Sequence, residues 1–211
     1  MNHYLKHTLN ILLILIAGFT TAATAAPAND AAKLLDQAAA KIKSAKSITA
    51  SYTIQTGGNT IKGTLLLSGD RFTSANNAMT TWYDGKTQWT YAPTTNEVNI
   101  IEPTDDELAA SNPLAIISGL KSRYTPSIIK SAPGFRTILL KSISKNNDWP
   151  QITITLKSST LLPSAISIKQ HDGSVTNIAI PNIQIRNTPV SDSSFKFDRK
   201  KYPKAKIVDL R

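Results

Sequence analysis

The chain has 211 residues, enough for one domain with a sizeable core, and it contains no cysteine. The absence of cysteine excludes disulfides, thiolate catalysis and acylation of the chain through a cysteine of its own. The net charge of +10 is compatible with binding to nucleic acid, with binding to an anionic lipid surface, or with a role in solubility alone. The export signal at the N-terminus disfavours nucleic acid among these three.

The first 25 residues have the pattern of a cleaved signal peptide. Lys6 is their only charged residue, and the apolar run over residues 11–19 is too short to span a bilayer. Ala23-Thr24-Ala25 then fits the A-x-A pattern read by signal peptidase. We predict cleavage before Ala26, a periplasmic location and one mature domain over residues 26–211. No later apolar stretch approaches the ~20 residues of a spanning helix, so we expect an unanchored mature chain.

Residues 29–48 are predicted to form an amphipathic helix, with Asn29 or Asp30 as its N-cap. Its apolar positions recur at helical spacing: Leu34, Leu35, Ala38, Ile42, Ala45 and Ile48.

Beyond this helix the apolar pattern has a period of two, and turn signals recur about every ten residues, which is typical of a sandwich or barrel. Asp84-Gly85 between apolar and aromatic runs is a strong hairpin signal. Ten or eleven strands in one sheet would tend to curl or close on themselves. The predicted strands are residues 48–55, 60–67, 71–75, 79–83, 87–91, 97–101, 124–130, 135–143, 151–157, 165–170 and 174–185.

Residues 103–120 interrupt the β pattern. Their first half predicts a helical turn capped by Thr104, and their second half a short helix capped by Asn112, begun by Pro113 and ended by Gly119. The second helix is apolar on more than one side, so we expect it to bury against the concave face of the sheet. Its apolar residues are Leu114, Ile116, Ile117 and Leu120.

The sequence offers little catalytic chemistry. His171 is the only histidine after the signal peptide, so no ordinary metal-ligand cluster can form. Asp105-Asp106-Glu107 is typical of acids in the first turn of a helix, and Gly57-Gly58 lies between two strands rather than before a helix. We therefore expect no enzyme activity, catalytic residue, metal or cofactor. A secreted hydrolase that depends on His171 is the distant alternative.

Strand alternation places apolar side chains on shared faces: Tyr52 with Ile54, Leu65 with Leu67, Trp89 with Tyr91, and Val98 with Ile100. Two interpretations stay open for them. They fill an ordinary core, or they line an apolar pocket that opens when the helix at residues 113–119 moves. An acyl chain needs such a lining, because each buried CH₂ contributes about 0.8 kcal/mol.

Residues 82–93, Trp-Tyr-Asp-Gly-Lys-Thr-Gln-Trp-Thr-Tyr-Ala-Pro, resemble the signature of the periplasmic outer-membrane lipoprotein carriers, the LolA family. In that family a D-G-K-x-x-W-x-Y-x-P hairpin precedes a short helix that starts with Asn-Pro, and residues 112–119 occupy that place. The N-terminal helix leading into residues 49–52 and the hairpin at residues 63–67 also fit. Residues 195–203 resemble the C-terminal end of Bacteroidetes-type members.

The resemblance implies a mainly β fold: an unclosed antiparallel β-barrel of about 10–11 strands, with a hydrophobic cavity under an α-helical lid and an N-terminal amphipathic helix. Family members are non-enzymatic chaperones that take acylated lipoproteins from an inner-membrane ABC transporter and carry them to an acceptor at the outer membrane. We expect those partners, a monomer, and no cofactor. The expected cavity and lid residues are Tyr52, Ile54, Leu65, Leu67, Trp82, Trp89, Tyr91, Val98, Ile100, Leu114, Ile116, Ile117 and Leu120.

One departure from the family concerns control of the lid. Members place an arginine just before a proline at the end of the second strand, where it bonds the closed lid. Residues 67–72 contain no proline, and Arg71 is displaced by two positions, which makes it a candidate for lid control.

The alternatives to a lipoprotein carrier are a carrier or sensor of another lipid or envelope component, or a structural protein with a filled core. The cluster Arg199, Lys200, Lys201, Lys204 and Lys206 is either a solvated face or a contact with a membrane or partner.

Overall fold

The computed structural model describes residues 28–112, 114–119 and 121–211. The predicted signal peptide and cleavage site, Pro113 and Leu120 lie outside these residues. The helices are α1 (Ala28–Ser44), α2 (Asp105–Ser111) and α3 (Ala115–Gly119), with 3₁₀ turns at Lys121–Arg123 and Asp192–Phe195. The strands are β1 (Ser47–Thr56), β2 (Asn59–Ser68), β3 (Arg71–Asn76), β4 (Thr80–Tyr83), β5 (Gln88–Ala92), β6 (Glu97–Ile101), β7 (Tyr124–Ile129), β8 (Phe135–Ser142), β9 (Gln151–Lys157), β10 (Pro163–Lys169), β11 (Val175–Arg186) and β12 (Lys206–Asp209).

All twelve strands belong to one sheet, in the order β12-β6-β5-β4-β3-β2-β1-β11-β10-β9-β8-β7. Neighbouring strands are antiparallel, except that β12 pairs parallel with β6. Because β12 and β7 are both edges, the sheet is not closed. The predicted mainly β fold with an unclosed barrel is confirmed, with twelve strands rather than ten or eleven. The strand that the pattern missed is β12, which is four residues long and follows three lysines, Lys200, Lys201 and Lys204.

The first helix ends at Ser44, four residues before the predicted end at Ile48. Ile48 belongs instead to β1, where it is fully buried and pairs with Leu67 on one side and Ile185 on the other. Hydrogen bonding to strands on both sides outweighs the local helical spacing that included Ala45 and Ile48.

The core lies between α1 and one face of the sheet, which we call the inner face. Ala31, Leu35, Ala38 and Ile42 of α1 are buried and recur at helical spacing, so they form one stripe that packs into this core. The inner-face side chains of β1–β4 and β7–β11 belong to the same cluster. Within the described residues, no helix is both long and apolar enough to cross a membrane.

Candidate functional site

The inner face carries a row of isoleucines that crosses seven neighbouring strands. Each isoleucine lies directly opposite the next in the strand register. Such β-branched side chains pack well against one another on a pleated surface. Ile138, Ile154, Ile166 and Ile178, in the middle of the row, are at most 5% exposed. The row consists of Ile128, Ile138, Ile154, Ile166, Ile178, Ile54 and Ile61. It makes much of the inner face a continuous branched-aliphatic wall.

The side chains of α3 and the residue before it fill the space in front of this face. Leu114, Ile116 and Ile117 are 2%, 2% and 1% exposed, and all three belong to the core cluster with the wall isoleucines. We call residues 114–119 the plug. A five-residue helix has little stability of its own, so the plug is held by this burial.

Two caps fix the segment that leads into the plug. Thr104 and Glu107 form a capping box at the start of α2, with the Thr104 amide donating to Glu107 Oε2 at 2.8 Å. Hydrogen bonding to Thr104 lowers the pKa of the Glu107 carboxyl. Between α2 and α3, the buried Asn112 accepts a hydrogen bond from the Leu114 amide at its Oδ1, at 3.0 Å. The first of the two helices therefore begins at the predicted Thr104 cap. Asn112 is the C-cap of α2, and α3 begins three residues later, at Ala115.

A cleft of about 450 Å³ opens between α1, the α2–plug segment and two strand turns. Its apolar lining includes Ile42, Leu67, Phe72, Leu108 and Leu114. Its polar lining is mostly acidic, with Asp36, Asp70 and Asp105 alongside Lys43. The cleft thus joins solvent to the edge of the apolar interior, beside the plug.

Tyr83 stands in the wall of this cleft. Burial raises the pKa of its phenol above the ordinary value of 10.0, and the negative charges of Asp70, Asp84 and Asp105 raise it further. Its strand neighbour Gln88 is 5% exposed, and the Gln88 Oε1 atom has no hydrogen-bond partner. The cleft wall therefore includes a neutral, largely buried phenol.

The structure brings one part of the predicted lining together on the inner face. Tyr52, Ile54, Leu65 and Leu67 all lie there, in contact with the core that the plug completes. The Tyr52 hydroxyl and Ser74 Oγ are 2.9 Å apart in a buried hydrogen bond. Leu120, predicted for the lid, lies outside the described residues.

The other part of the predicted lining lies on the opposite, outer face. Trp82 pairs with Trp89, and Trp89 with Ile100, while Tyr91 pairs with Val98. These positions alternate with the inner-face residues Thr81 and Tyr83, so their side chains point away from the core cluster. Trp82 instead packs edge-on against Phe197 and Tyr202, with ring centroids 5.8 Å apart. Both belong to the C-terminal segment, residues 187–205, which lies between β11 and β12. The expectation of one shared lining is wrong for these five, because strand spacing alone does not say which face is the inner one.

Arg71 also lies on the outer face. Its guanidinium donates to the Asp192 carboxylate and stands over the Phe195 ring, 4.9 Å from the centroid. Its ion pair and its ring contact are therefore with the C-terminal segment and not with the plug.

Sequence reasoning missed the wall isoleucines of β7–β11 as site residues, although their strands were predicted. The signal was present in residues 151–157, where Ile152, Ile154 and Leu156 alternate with polar residues. No group of three or more His, Cys, Asp or Glu side chains that could hold a metal ion occurs among the described residues.

An open antiparallel sheet, an aliphatic inner face and a short helical plug define the open-barrel class of lipoprotein-carrier-like proteins. The family model described as outer membrane lipoprotein carrier protein LolA matches residues 21–173, and the chain belongs to that family. The matched region includes β1–β10 and the plug, and it ends before β11 and the C-terminal segment. No curated protein matches the chain.

Solved structures are similar to the chain at low sequence identity. An uncharacterized conserved protein from Thermus thermophilus is 11% identical with a TM-score of 0.60, over 85% of this chain and 99% of that one. A DUF1329 family protein from Desulfovibrio piger has 13% identity and a TM-score of 0.49, over 81% and 97% of the two chains. A LolA superfamily protein from Nitrosomonas europaea has 10% identity and a TM-score of 0.42, over 79% and 97%. At these identities the first likeness shows the fold alone.

Proposed function

We propose that this protein is a periplasmic, non-enzymatic carrier that binds the acyl chains of lipoproteins. It receives them from an inner-membrane ABC transporter and delivers them to the outer membrane. The observation that carries the proposal is the inner face: an aliphatic wall seven strands wide that shares its core with α1 and with the plug, whose helix is only five residues long. Membership of the lipoprotein-carrier family supports it.

Binding requires the plug to move, because the interior is filled in the state described. Lifting it exposes Leu114, Ile116 and Ile117, at a cost of about 2 kcal/mol for each side chain. An acyl chain that takes their place gains about 0.8 kcal/mol for each buried CH₂ group, so about eight such groups offset the cost. Longer chains then bind with a modest surplus. Such an exchange gives reversible binding without catalysis, as a carrier requires.

The direct test is titration of the purified protein with an apolar fluorescent probe, followed by competition. We expect probe fluorescence to rise on binding, an N-acylated peptide to displace the probe, and the same peptide without its acyl chain to leave it bound. A folded protein, verified by circular dichroism, that binds neither probe nor acylated peptide would contradict the proposal.

Cargo recovered from cells distinguishes the carrier from its alternative. Mass spectrometry of material that co-purifies from the periplasm should find acylated lipoproteins. Finding only free lipids would favour a carrier or sensor of another envelope lipid on the same fold. The acidic lining of the cleft is the feature that favours this second candidate, since Asp36, Asp70 and Asp105 would accommodate a cationic head group.

A further inference from the structure

The C-terminal segment builds a second cleft on the outer face, away from the plug and the aliphatic wall. This outer cleft has a volume of about 420 Å³. Its floor is aromatic, with Trp82, Phe197 and Tyr202, and its rim carries Ser193, Ser194 and the ammonium groups of Lys196 and Lys201. Asp198 is the one carboxylate in the lining. Hydroxyls and ammonium groups around an aromatic floor form a surface that favours an anionic polar group.

The segment is held firmly against the sheet, so its charged residues are presented in a fixed arrangement. Phe195 is fully buried, and Ala205 is 4% exposed. The Phe197 and Tyr202 rings stack with centroids 5.4 Å apart, and the Asn96 side chain donates to the Lys204 carbonyl at 2.9 Å. These contacts fix the chain on both sides of residues 198–201.

Residues 198–201 form a turn that displays several unpaired cations. Asp198 Oδ1 accepts from the Lys200 amide at 2.9 Å, which occupies one oxygen of this carboxylate. Lys196 pairs with Asp84 at 3.8 Å and Lys206 with Glu97 at 2.8 Å. By contrast, none of the ion pairs among the described residues involves Arg199, Lys200, Lys201 or Lys204, and all four are exposed.

We propose that the outer cleft and this cationic turn dock the protein on an anionic phospholipid surface, with a lipid phosphate seated between Lys196 and Lys201. A single phosphate would occupy the cleft but would leave Arg199, Lys200 and Lys204 outside it, so the arrangement fits a surface that carries many phosphates. Aromatic side chains beside lysines are typical of groups at the membrane interface. Apart from Trp82, the residues of the outer cleft and the cationic turn lie outside residues 21–173, which the family model matches.

Docking of this kind is independent of the cargo site, because the two lie on opposite faces of the sheet. A few cations without an inserted anchor give weak, reversible attachment, which allows a carrier to reach a membrane surface and leave it again.

The test is co-sedimentation of the purified protein with vesicles of phosphatidylcholine, with and without phosphatidylglycerol. We expect partition into the phosphatidylglycerol vesicles only, weakening as salt is raised. The variant R199Q/K200Q/K201Q/K204Q should partition about tenfold more weakly or worse. The control K62Q/K141Q/K145Q/K169Q removes the same charge from exposed positions elsewhere and should keep most of the partition.

A pair of single variants tests the seat for the phosphate. Lys201 lines the outer cleft and Lys200 does not, so K201Q should weaken partition more than K200Q although both remove one charge. Equal losses in the two, or equal losses in the two quadruple variants, would overturn the site in favour of diffuse charge attraction.

Two further outcomes would also overturn the proposal. Displacement from the vesicles by millimolar glycerol phosphate at constant ionic strength would assign the cleft to a soluble phosphate. Absence of partition into anionic vesicles at low salt would leave an acidic protein as the partner of the cationic turn.

Discussion

Gly63 lies directly beneath the ring of Tyr52 on the inner face: a Cβ atom on Gly63 would stand 2.4 Å from Tyr52 Cζ. The two residues are paired across β1 and β2, and the Tyr52 hydroxyl continues to Ser74 on β3. The absent side chain at Gly63 therefore provides the space in which Tyr52 crosses β2.

This relationship predicts the effect of Gly63→Ala. The added methyl group also meets the Ala75 carbonyl at 2.7 Å, so it displaces the Tyr52 ring and breaks the bond to Ser74. We expect a loss of about 2 kcal/mol in the free energy of unfolding, measured by urea denaturation. In a Tyr52→Leu background the same substitution should cost clearly less. Equal costs in both backgrounds would show that the ring is not what the methyl group meets.

Weakening the plug should favour ligand binding while it lowers stability. Ile117→Ala removes aliphatic surface that the plug buries, which reduces the cost of lifting it, and probe affinity should rise about fivefold. Stability should fall by about 2 kcal/mol or more. The control is Val98→Ala, which removes a fully buried side chain from the outer face and should lower stability without a gain in probe affinity. A similar gain in both variants would argue against the plug as the gate.

Arg71 should be dispensable for control of the plug. It faces the C-terminal segment, so Arg71→Ala should leave probe affinity unchanged. The Arg71 and Asp192 side chains are 31% and 80% exposed, so the ion pair is solvated on the Asp192 side and its loss should cost about 1 kcal/mol or less. Parallel measurement of Asp192→Ala should give the same pair of results. A marked change in probe affinity in Arg71→Ala alone would restore the lid-control role that the sequence suggested.

The phenol of Tyr83 should make stability fall at high pH. Its folded-state pKa is raised, chiefly by burial, so the folded protein holds this proton more tightly than the unfolded chain does. The contribution of this phenol to the free energy of unfolding is complete below the ordinary tyrosine pKa of 10.0. It is lost as the pH rises through the higher folded-state pKa. Stability measured from pH 8 to 11 should therefore decline less steeply in Tyr83→Phe than in the parent. Equal declines in the variant and the parent would contradict the assignment of this pH dependence to Tyr83.

The strands could be predicted closely because their signals are local. The alternation over residues 151–157 and the Asp84-Gly85 turn each lie within a few residues, and β6 and β9 have the predicted ends. The caps at Thr104 and Asn112 are equally local, since each acts on amides two or three residues away. By contrast, β12 pairs in parallel with a strand more than a hundred residues earlier, and no short-range pattern announces such a partner.

The sequence by itself determined an alternating β chain with two short helical segments and no cysteine, because propensity, spacing and composition act over short distances. Only the tertiary structure decided which face of each strand is inside. Alternation puts Tyr83 and Trp82 on opposite faces, but it does not determine which of them faces α1 and the plug. The C-terminal segment decides this, because it buries Trp82 against Phe197 and Tyr202. Long-range packing thus separated the candidate cargo wall from the outer cleft.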